Sequence, residues 1–329
     1  MAMIVDAASV SELIAAIIAL SVPMAFAALG EVISERAGVI NLGTEGVMLV
    51  GAISAFSIRF FQHDNLFGVL VGAACGALMG LLLAFVSISL RQDQVLSGLG
   101  IYFLGVGLSG FLYDIFFGQI GSTIRISGLP ELPMPLLSQI PVIGDSLFSQ
   151  DIIEYLAFVT LILVIIVVGR TTFGLNIRAV GENPSAADTL GVSVTKIRYA
   201  AVIIGATLAG IGGAYLALSS HAFQAENITA GRGFIAVAMV YFGKWRPARA
   251  FFGTFLFGAA YLLGAFFQVV GSIIPYFFLL MVPYVLTLVI LVGSLEAHLP
   301  LRTRSSLQPR RRLAALTFGS EIGAQYRST

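Results

Sequence analysis

Long apolar runs, separated by short polar connections, recur along most of the chain. Several are long enough for an α-helix to cross the roughly 30 Å hydrocarbon core of a bilayer. Because lipid offers no hydrogen-bond partners to the backbone, such runs fold as helices. Only 11% of the 329 residues are charged, against roughly 25% in ordinary soluble domains. The sequence therefore predicts an all-α, polytopic membrane protein.

The apolar runs predict a membrane domain over residues 1–293, followed by a basic cytoplasmic tail over residues 294–329. We expect about nine transmembrane helices, within a range of about eight to ten, one or two of them broken or re-entrant. The approximate boundaries of the spans are 13–30, 46–61, 66–90, 95–117, 151–169, 199–220, 230–243, 251–270 and 274–293.

The distribution of basic residues predicts the orientation in the membrane. If the amino terminus lies outside, all but three of the 18 lysines and arginines fall on the inner side, the exceptions being Arg59, Arg125 and Arg232. Such a bias follows the positive-inside rule. The sequence thus predicts an outer amino terminus and a cytoplasmic carboxy terminus. No cleaved signal peptide is expected, since residues 1–12 lack a positive n-region.

A polar segment at residues 171–198 interrupts the apolar pattern on the predicted inner side. Residues 181–184 are predicted to form a turn with Asn183 as helix cap and Pro184 in the first helical turn, and residues 185–190 a short helix that Gly191 stops. A short helix along the membrane surface suits docking to a soluble partner. On physical grounds alone, an ordinary connecting loop explains the segment equally well.

Small residues recur at four-residue spacing in two predicted spans. One set is Gly68, Gly72, Gly76 and Gly80, and the other is Gly205, Ala209 and Gly213. This spacing aligns the small residues on one helix face, where a neighbouring helix can approach to backbone contact. We therefore predict close helix packing at both sets, with a substrate-lining face as the alternative.

The predicted span at 230–243 is too short to cross a membrane without interruption. The run from Arg232 to Gly243 would cover only about 18 Å at 1.5 Å per residue. Either the helix begins earlier, near Asn227, or it is a half-helix with Arg232 near the outer mouth.

Several kinds of chemistry lack support in the sequence. The single Cys75 excludes an internal disulfide, and the three histidines, His63, His221 and His298, fall in separate connections without metal-ligand spacing. No nucleotide-binding G-x-x-x-x-G-K-[ST] run occurs. Few ionisable groups are expected inside the membrane, and the spans 251–270 and 274–293 contain no Asp, Glu, Lys or Arg, which argues against a proton relay or an ion-coupled site there. With no catalytic pair in mid-span, we predict no enzyme, no metal site and no cofactor bound by this chain.

Five segments carry a family likeness: GEVISERAGVINLGTEGVMLVGA (30–52), LPMPLLSQIPVIGDSLFSQDIIEYLAF (132–158), TTFGLNIRAVGENPSAADTLGVSVTKIRY (171–199), TAGRGFIAVAMVYFGKWRP (229–247) and PYVLTLVILV (283–292). They resemble the membrane permease subunits of bacterial ABC importers, most of all the branch for nucleosides and simple sugars, which is related to the ribose and branched-chain amino acid permeases. The likeness runs from about residue 13 to 293, and the run RAVGENPSAADTLGV is its most specific element.

The resemblance implies a coupling role for the polar segment. In that family the stretch corresponding to residues 171–198 engages the ATP-binding subunit. This role is carried onto Gly181, Glu182, Asn183, Pro184, Ala187, Asp188 and Gly191. ATP would then be bound by the partner subunit.

The resemblance also implies that residues 31–46 fold back into the membrane as a broken helix near the translocation path. The candidate path residues are Glu31, Arg36, Asn41, Glu45 and Arg232. Non-helical backbone at that depth needs protein or a water-filled cavity around it. An ion pair of Arg36 with Glu31 or Glu35 would satisfy such a site. The alternative is a cytoplasmic loop whose charges are solvated.

Together, these features predict a permease subunit of an ATP-driven importer in a prokaryotic inner membrane, with a path for a nucleoside or simple sugar. The implied partners are an ATP-binding subunit, an extracytoplasmic substrate-binding protein, a second permease subunit, identical or paralogous, and membrane lipid, but no nucleic acid. Residues 118–150 form either the docking surface for the binding protein or a passive connection. The competing hypothesis is an ion-coupled secondary transporter of a small polar solute.

Overall fold

The fold follows the predicted apolar runs as helices. A computed structural model describes residues 7–118, 124–126, 128–130, 132, 147–219, 222–223, 228–270, 278 and 281–289. Its main helices are α1 (Ala7–Arg36), α2 (Thr44–Gln62), α3 (Asn65–Ala84), α4 (Gln94–Phe117), α5 (Ile152–Arg170), α6 (Thr172–Glu182), α7 (Pro184–Thr189), α8 (Val194–Ser219), α9 (Arg232–Phe242) and α10 (Pro247–Val270). A π-helical turn, Phe85–Ser89, follows α3, and the two-residue strands β1 (Ile124–Arg125) and β2 (Ala222–Phe223) pair antiparallel.

Seven helices in the described ranges are long and apolar enough to cross a membrane. They are Val10–Arg36, Thr44–Gln62, Asn65–Ser89, Gln94–Phe117, Ile152–Arg170, Val194–Ser219 and Pro247–Phe267, and each matches one predicted span. The predicted span 230–243 is the shorter helix α9. Half of the span predicted at 274–293, and the whole tail 294–329, lie outside the described residues. The polytopic helical class is confirmed.

Helix α8 is the packing centre of the membrane domain. Its Gly205 faces Gly30 of α1, its Gly210 faces α3, and its Gly213 faces Met48 of α2. A Cβ added to Gly205 would lie 2.7 Å from the carbonyl oxygen of Gly30. Since lipid tails are as apolar as leucine, this backbone-distance packing, rather than burial of apolar surface from water, holds the helices together.

The glycine stripe of α3 divides its contacts between two helices. Gly68 lies against Ala55 of α2, whereas Gly76 and Gly80 lie against Ala206 of α8. Ala209 of α8 is completely buried. The three helices therefore meet along faces that carry almost no side-chain volume.

Two boundaries differ from the sequence prediction. Helix α1 continues past residue 30 and ends at Arg36. Gly38, two residues later, has a φ of 81°, the left-handed geometry that commonly follows a helix C-terminus. No glycine or proline interrupts residues 31–36, so nothing local stops the helix earlier. Residues 172–182 form α6, so Gly181 and Glu182 close a helix instead of forming the predicted turn.

Replacing Gly76 by alanine tests the packing at α8. The added Cβ would lie 2.5 Å from the Ala206 carbonyl oxygen, so the helices must separate, and overpacking of this kind costs about 1–3 kcal/mol. We expect Gly76→Ala to lower the thermal unfolding midpoint in mild detergent. Gly107→Ala in α4 is the matched control, because its Cβ meets nothing within 4 Å. Equal midpoints for the two variants would contradict the packing argument.

Candidate coupling surface and membrane polar cluster

The polar segment 171–198 folds into two short helices and the start of α8. Thr171 Oγ1 accepts a hydrogen bond from the Gly174 amide at 3.1 Å and caps α6, and Asn183 Oδ1 accepts one from the Ala186 amide at 3.1 Å and caps α7. Gly191 follows α7 with a φ of 83°, which glycine adopts without a steric penalty. The predicted short helix, its Asn183 cap and its glycine stop are confirmed.

An exposed surface surrounds α7. We call residues 181–191, except Ala187, the α7 surface. All of these residues are exposed, including the predicted contact residues Gly181, Glu182, Asn183, Pro184, Asp188 and Gly191. Ala187 is only 2% exposed, so its side chain is not available to a partner, contrary to the role carried onto it. Sequence reasoning missed Leu190, which is 83% exposed and offers a partner apolar area to bury. The sequence feature that could have identified Leu190 is its position directly before Gly191, the glycine that ends the short helix.

The α7 surface is attached to the last turn of α1. The Cα of Gly181 packs on the backbone carbonyl of Arg36, and a Cβ at this position would overlap that carbonyl. Arg198 Nε of α8 donates a hydrogen bond to the Ala37 carbonyl at 3.2 Å. A cavity of about 330 Å³ lies beside the contact, lined by Glu35, Arg36, Arg178, Gly181, Glu182 and Trp245. The ends of α6 and α1 are therefore in direct backbone contact.

The non-helical connection between α1 and α2, residues 37–43, is held by side chains. Gln94 of α4 donates to the Gly38 carbonyl at 3.1 Å and accepts from the Ile40 amide at 3.0 Å. Glu31 of α1 accepts a hydrogen bond from the Thr44 hydroxyl at the start of α2. Glu31, Asn41 and Thr44 are at most 1% exposed. Protein encloses these groups, so the alternative of a solvated loop is wrong.

Glu45 joins the first turn of α2 to the amino terminus of α9. Its Oε1 accepts hydrogen bonds from Thr229 Oγ1 at 2.5 Å and from the Gly231 amide at 2.7 Å, and its Oε2 accepts one from the Gly233 amide at 2.6 Å. A carboxylate at this position satisfies amides that have no partner within the helix and complements the helix dipole. Because α9 begins at Arg232 and has 11 residues, the half-helix is the correct alternative.

Aromatic side chains surround Arg232 at the start of α9. Its guanidinium carbon lies 4.8 Å from the ring centre of Tyr261 in α10, a cation–π distance. The hydroxyls of Tyr261 and Tyr284 both donate to the Ala230 carbonyl, at 3.1 and 2.5 Å. Within the described chain, the buried Nε of Arg232 has no hydrogen-bond partner. Glu45, Arg232 and the two tyrosines thus form one polar cluster at the end of the half-helix.

Arg36 does not pair with Glu31 or Glu35, and that expectation was wrong. Its Nε donates to the Trp245 carbonyl at 2.7 Å, and Glu35 Oε2 accepts from the Trp245 indole at 2.8 Å. Consecutive helical residues point to different sides of the helix, so Glu35 and Arg36 do not face each other. Arg36 consequently borders the cavity beside α6, apart from Asn41 and Glu45.

The domain buries more carboxylates than the sequence led us to expect. Glu31, Glu35, Glu45 and Glu154 are at most 9% exposed, and hydrogen bonds to each of them offset part of the cost of burial. Glu154 completes a capping box with Asp151 at the start of α5.

Glu154 also accepts a hydrogen bond from the Tyr215 hydroxyl of α8 at 2.6 Å. A cavity of about 280 Å³ lies next to this pair. The Asp-x-x-Glu spacing could have revealed the capping box, but not the contact with α8, which joins residues far apart in the chain.

Comparison with known proteins identifies one family along most of the chain. The sequence profile of a family described as the permease component of the branched-chain amino acid transport system matches residues 13–293. No solved structure matches the chain.

Three relatives share more than a third of their aligned residues with the chain. A Haloferax volcanii protein with the provisional name glucose ABC transporter permease protein is 43% identical over 70% of this chain and 70% of its own length. The nucleoside ABC transporter permease protein NupC of Lactococcus lactis is 39% identical over 82% and 88%. The guanosine ABC transporter permease protein NupQ of Bacillus subtilis is 35% identical over 86% and 92%.

Each of these organisms also has a second, more distant match. These proteins, named glucose, nucleoside and guanosine ABC transporter permease proteins, are 24–25% identical to the chain. Two different permease proteins named for the same substrate therefore occur in each organism.

Removing the Glu45 carboxylate tests its role at α9. Glu45→Ala would leave three donors without an acceptor, and each buried orphan donor costs about 1–3 kcal/mol. We expect a large fall in the thermal midpoint in detergent. Asp64→Ala is the control, because Asp64 caps α3 through one exposed bond from the Phe67 amide and such caps contribute roughly 1 kcal/mol. A fall no larger than that of Asp64→Ala would count against the assignment.

Proposed function

Since the chain belongs to the family of branched-chain amino acid transport system permease components and is the membrane-spanning permease subunit of an ABC importer, we propose that its path carries a nucleoside or a simple sugar. The relatives named for nucleosides, guanosine and glucose support this substrate class. Such ligands are uncharged and hydroxylated. The span 251–270 contains no Asp, Glu, Lys or Arg, which agrees with an uncharged ligand, and the buried Glu31 and Glu45 bind donors of the protein itself.

The candidate path passes the polar cluster at the start of α9. Glu31, Asn41, Glu45 and Arg232 would border it within the membrane, and Arg36 would lie at its cytoplasmic end. In support of this path, Glu31, Asn41 and Glu45 are buried among helices, and the connections on either side of the cluster are non-helical. Irregular backbone is tolerated at membrane depth only next to protein or a water-filled cavity. Hydroxyl and amide groups, together with the ring of Tyr261, suit a neutral ligand with a flat or hydroxylated surface.

The α7 surface would dock on a separate ATP-binding subunit, which would bind and hydrolyse ATP. The observation that carries this proposal is an exposed short helix whose supporting helix α6 contacts the end of α1 through Gly181 and Arg36. The exposed Leu190 would add apolar area to the contact. Force applied to α7 would then reach the transmembrane helices without passing through a flexible linker.

The complex would also contain a second permease and an extracytoplasmic binding protein. Because three organisms each have two distinct permease proteins named for one substrate, the second subunit would be a paralogue of this chain. The positive-inside distribution of basic residues supports an outer amino terminus and a cytoplasmic α7 surface. The protein would reside in a prokaryotic plasma membrane.

Reversing two charges on the α7 surface tests the docking proposal. In the proposed contact, Glu182→Lys with Asp188→Lys replaces two negative charges by positive ones, so that groups of the partner that paired with the carboxylates lose their partners. The loss of one partner of a buried charge pair costs about 2–5 kcal/mol of binding free energy. We expect ATP-dependent uptake in proteoliposomes to fall at least about tenfold, with the protein still folded in the membrane.

The matched control changes the same total charge far from α7. Glu12→Lys with Asp114→Lys alters two exposed residues. Glu12 lies near the start of α1, far from the end of α1 that contacts α6, and Asp114 lies near the end of α4. Uptake by this control should equal that of the unmodified complex. Normal uptake by the Glu182 and Asp188 variant would contradict docking at this surface.

Cysteine labelling tests the orientation. In a Cys75→Ser background, Ser185→Cys and Gln62→Cys each provide one exposed thiol. A membrane-impermeant maleimide added to intact cells should label the cysteine at 62 and not the one at 185, and disruption of the membrane should expose the second. Labelling of the cysteine at 185 from outside would reverse the proposed topology.

A further inference from the structure

Trp245, in the turn between α9 and α10, is held from two sides by consecutive residues of α1. Glu35 Oε2 accepts a hydrogen bond from the indole Nε1 at 2.8 Å, and Arg36 Nε donates one to the Trp245 backbone carbonyl at 2.7 Å. These two bonds join residues about 210 positions apart in sequence. Both the side chain and the backbone of Trp245 are therefore fixed to the last turn of α1.

The turn that carries Trp245 has an unfavourable backbone. Lys244 and Trp245 have φ values of 51° and 55°, in the left-handed region that side chains with a Cβ avoid. Such residues cost of order 1–3 kcal/mol each and persist only where the surroundings hold them. The hydrogen bonds with Glu35 and Arg36 add to the turn's own backbone bonds, from the Lys244 amide to the Tyr241 carbonyl and from the Trp245 amide to the Val240 carbonyl. Weakening the bonds with Glu35 and Arg36 would loosen the attachment of the turn to α1.

The restrained turn lies at one end of the half-helix α9, and Glu45 holds the other end. The same turn of α1 that holds Trp245 also contacts α6 through Gly181 and α8 through Arg198. The cavity of about 330 Å³ separates Trp245 from the end of α6. Helix α6 and the turn thus border one space, and the end of α1 contacts both of them.

We propose that Trp245, with Glu35 and Arg36, is a positioning element that ties movement of the α7 surface to α9 and so to the polar cluster around Arg232. The inference rests on the proposed function and adds the route by which force reaches the path. Displacement of α6 shifts the end of α1, and the two hydrogen bonds carry that shift to the carboxy-terminal end of α9. Loss of the Glu35 bond lets α1 move without α9.

The test is the number of ligand molecules transported per ATP hydrolysed by the full complex in proteoliposomes, with a nucleoside as the first probe and glucose as the second. Trp245→Phe keeps an aromatic ring and removes the N–H donor, and Glu35→Ala removes the acceptor. We expect each to lower the ratio by about tenfold, the effect of one hydrogen bond to a charged group, while ATP hydrolysis continues.

Two controls separate coupling from structural damage. Glu35→Gln retains an oxygen that can accept from the indole and should keep the ratio close to that of the unmodified complex. Tyr241→Phe removes only a hydroxyl from the ring that packs on Trp245 at 5.4 Å and should leave the ratio unchanged. Co-purification of the ATP-binding subunit measures assembly for every variant.

An unchanged ratio in both Trp245→Phe and Glu35→Ala would overturn the inference, even if less complex assembles. An equal loss in Tyr241→Phe would also overturn it, because the indole hydrogen bond would then be irrelevant. A lack of ATP-driven uptake of either probe by the unmodified complex would count against the proposed function itself. The two failures are thus distinguishable.

Discussion

Backbone-to-backbone contact around α8 is the constraint on which the rest of the domain depends. In a bilayer, helices gain nothing by hiding apolar side chains from lipid, so association relies on close packing and hydrogen bonds. Gly205 against Gly30 of α1, Gly210 against α3 and Gly213 against Met48 of α2 bring three helices to backbone distance from α8. The connection 37–43, between the end of α1 and the start of α2, lies among these packed helices, and most of its residues are buried. A larger residue at any of these glycines would move several polar groups together.

The close packing leaves irregular backbone enclosed, and buried polar side chains satisfy it. Gln94 binds the connection 37–43 through both its donor and its acceptor, and Glu45 receives three hydrogen bonds at the start of α9. Buried carboxylates in a transporter suggest ion coupling at first sight. Here Glu45 and Glu154 bind the amino-terminal ends of helices, a structural use of charge that also allows the half-helix α9 to begin inside the domain. The family membership, in turn, assigns the energy source to ATP.

Helix α1 links the two ends of the domain. Ala15, near the start of α1, lines the cavity beside Glu154, and Glu35, near its end, lines the cavity beside α6. At 1.5 Å per residue, these two positions are about 30 Å apart, which is the thickness of a bilayer core. At its end, α1 contacts α6, α8 and the turn after α9. Because the end of α1 contacts all of these elements, a displacement there would be shared by them. The proposed coupling of ATP hydrolysis to transport uses this property.

The sequence by itself determined the class of protein, seven of the predicted spans and the short capped helix at 184–189, because hydropathy, length and cap residues act locally. At 230–243 it left a half-helix and an earlier helix start open, and the structure decided for the half-helix. The sequence also carried the family likeness on which the function rests. Only the tertiary structure decided which partners the buried polar groups have. Three contacts join segments distant in the chain: the bond of Glu35 to Trp245 instead of Arg36, the three donors on Glu45, and the bond of Tyr215 to Glu154. The burial of Ala187 was likewise visible only in the structure. The geometry of these contacts follows from which helices pack on α8: the spacing of small residues predicted close approach, but no local pattern specifies the partner.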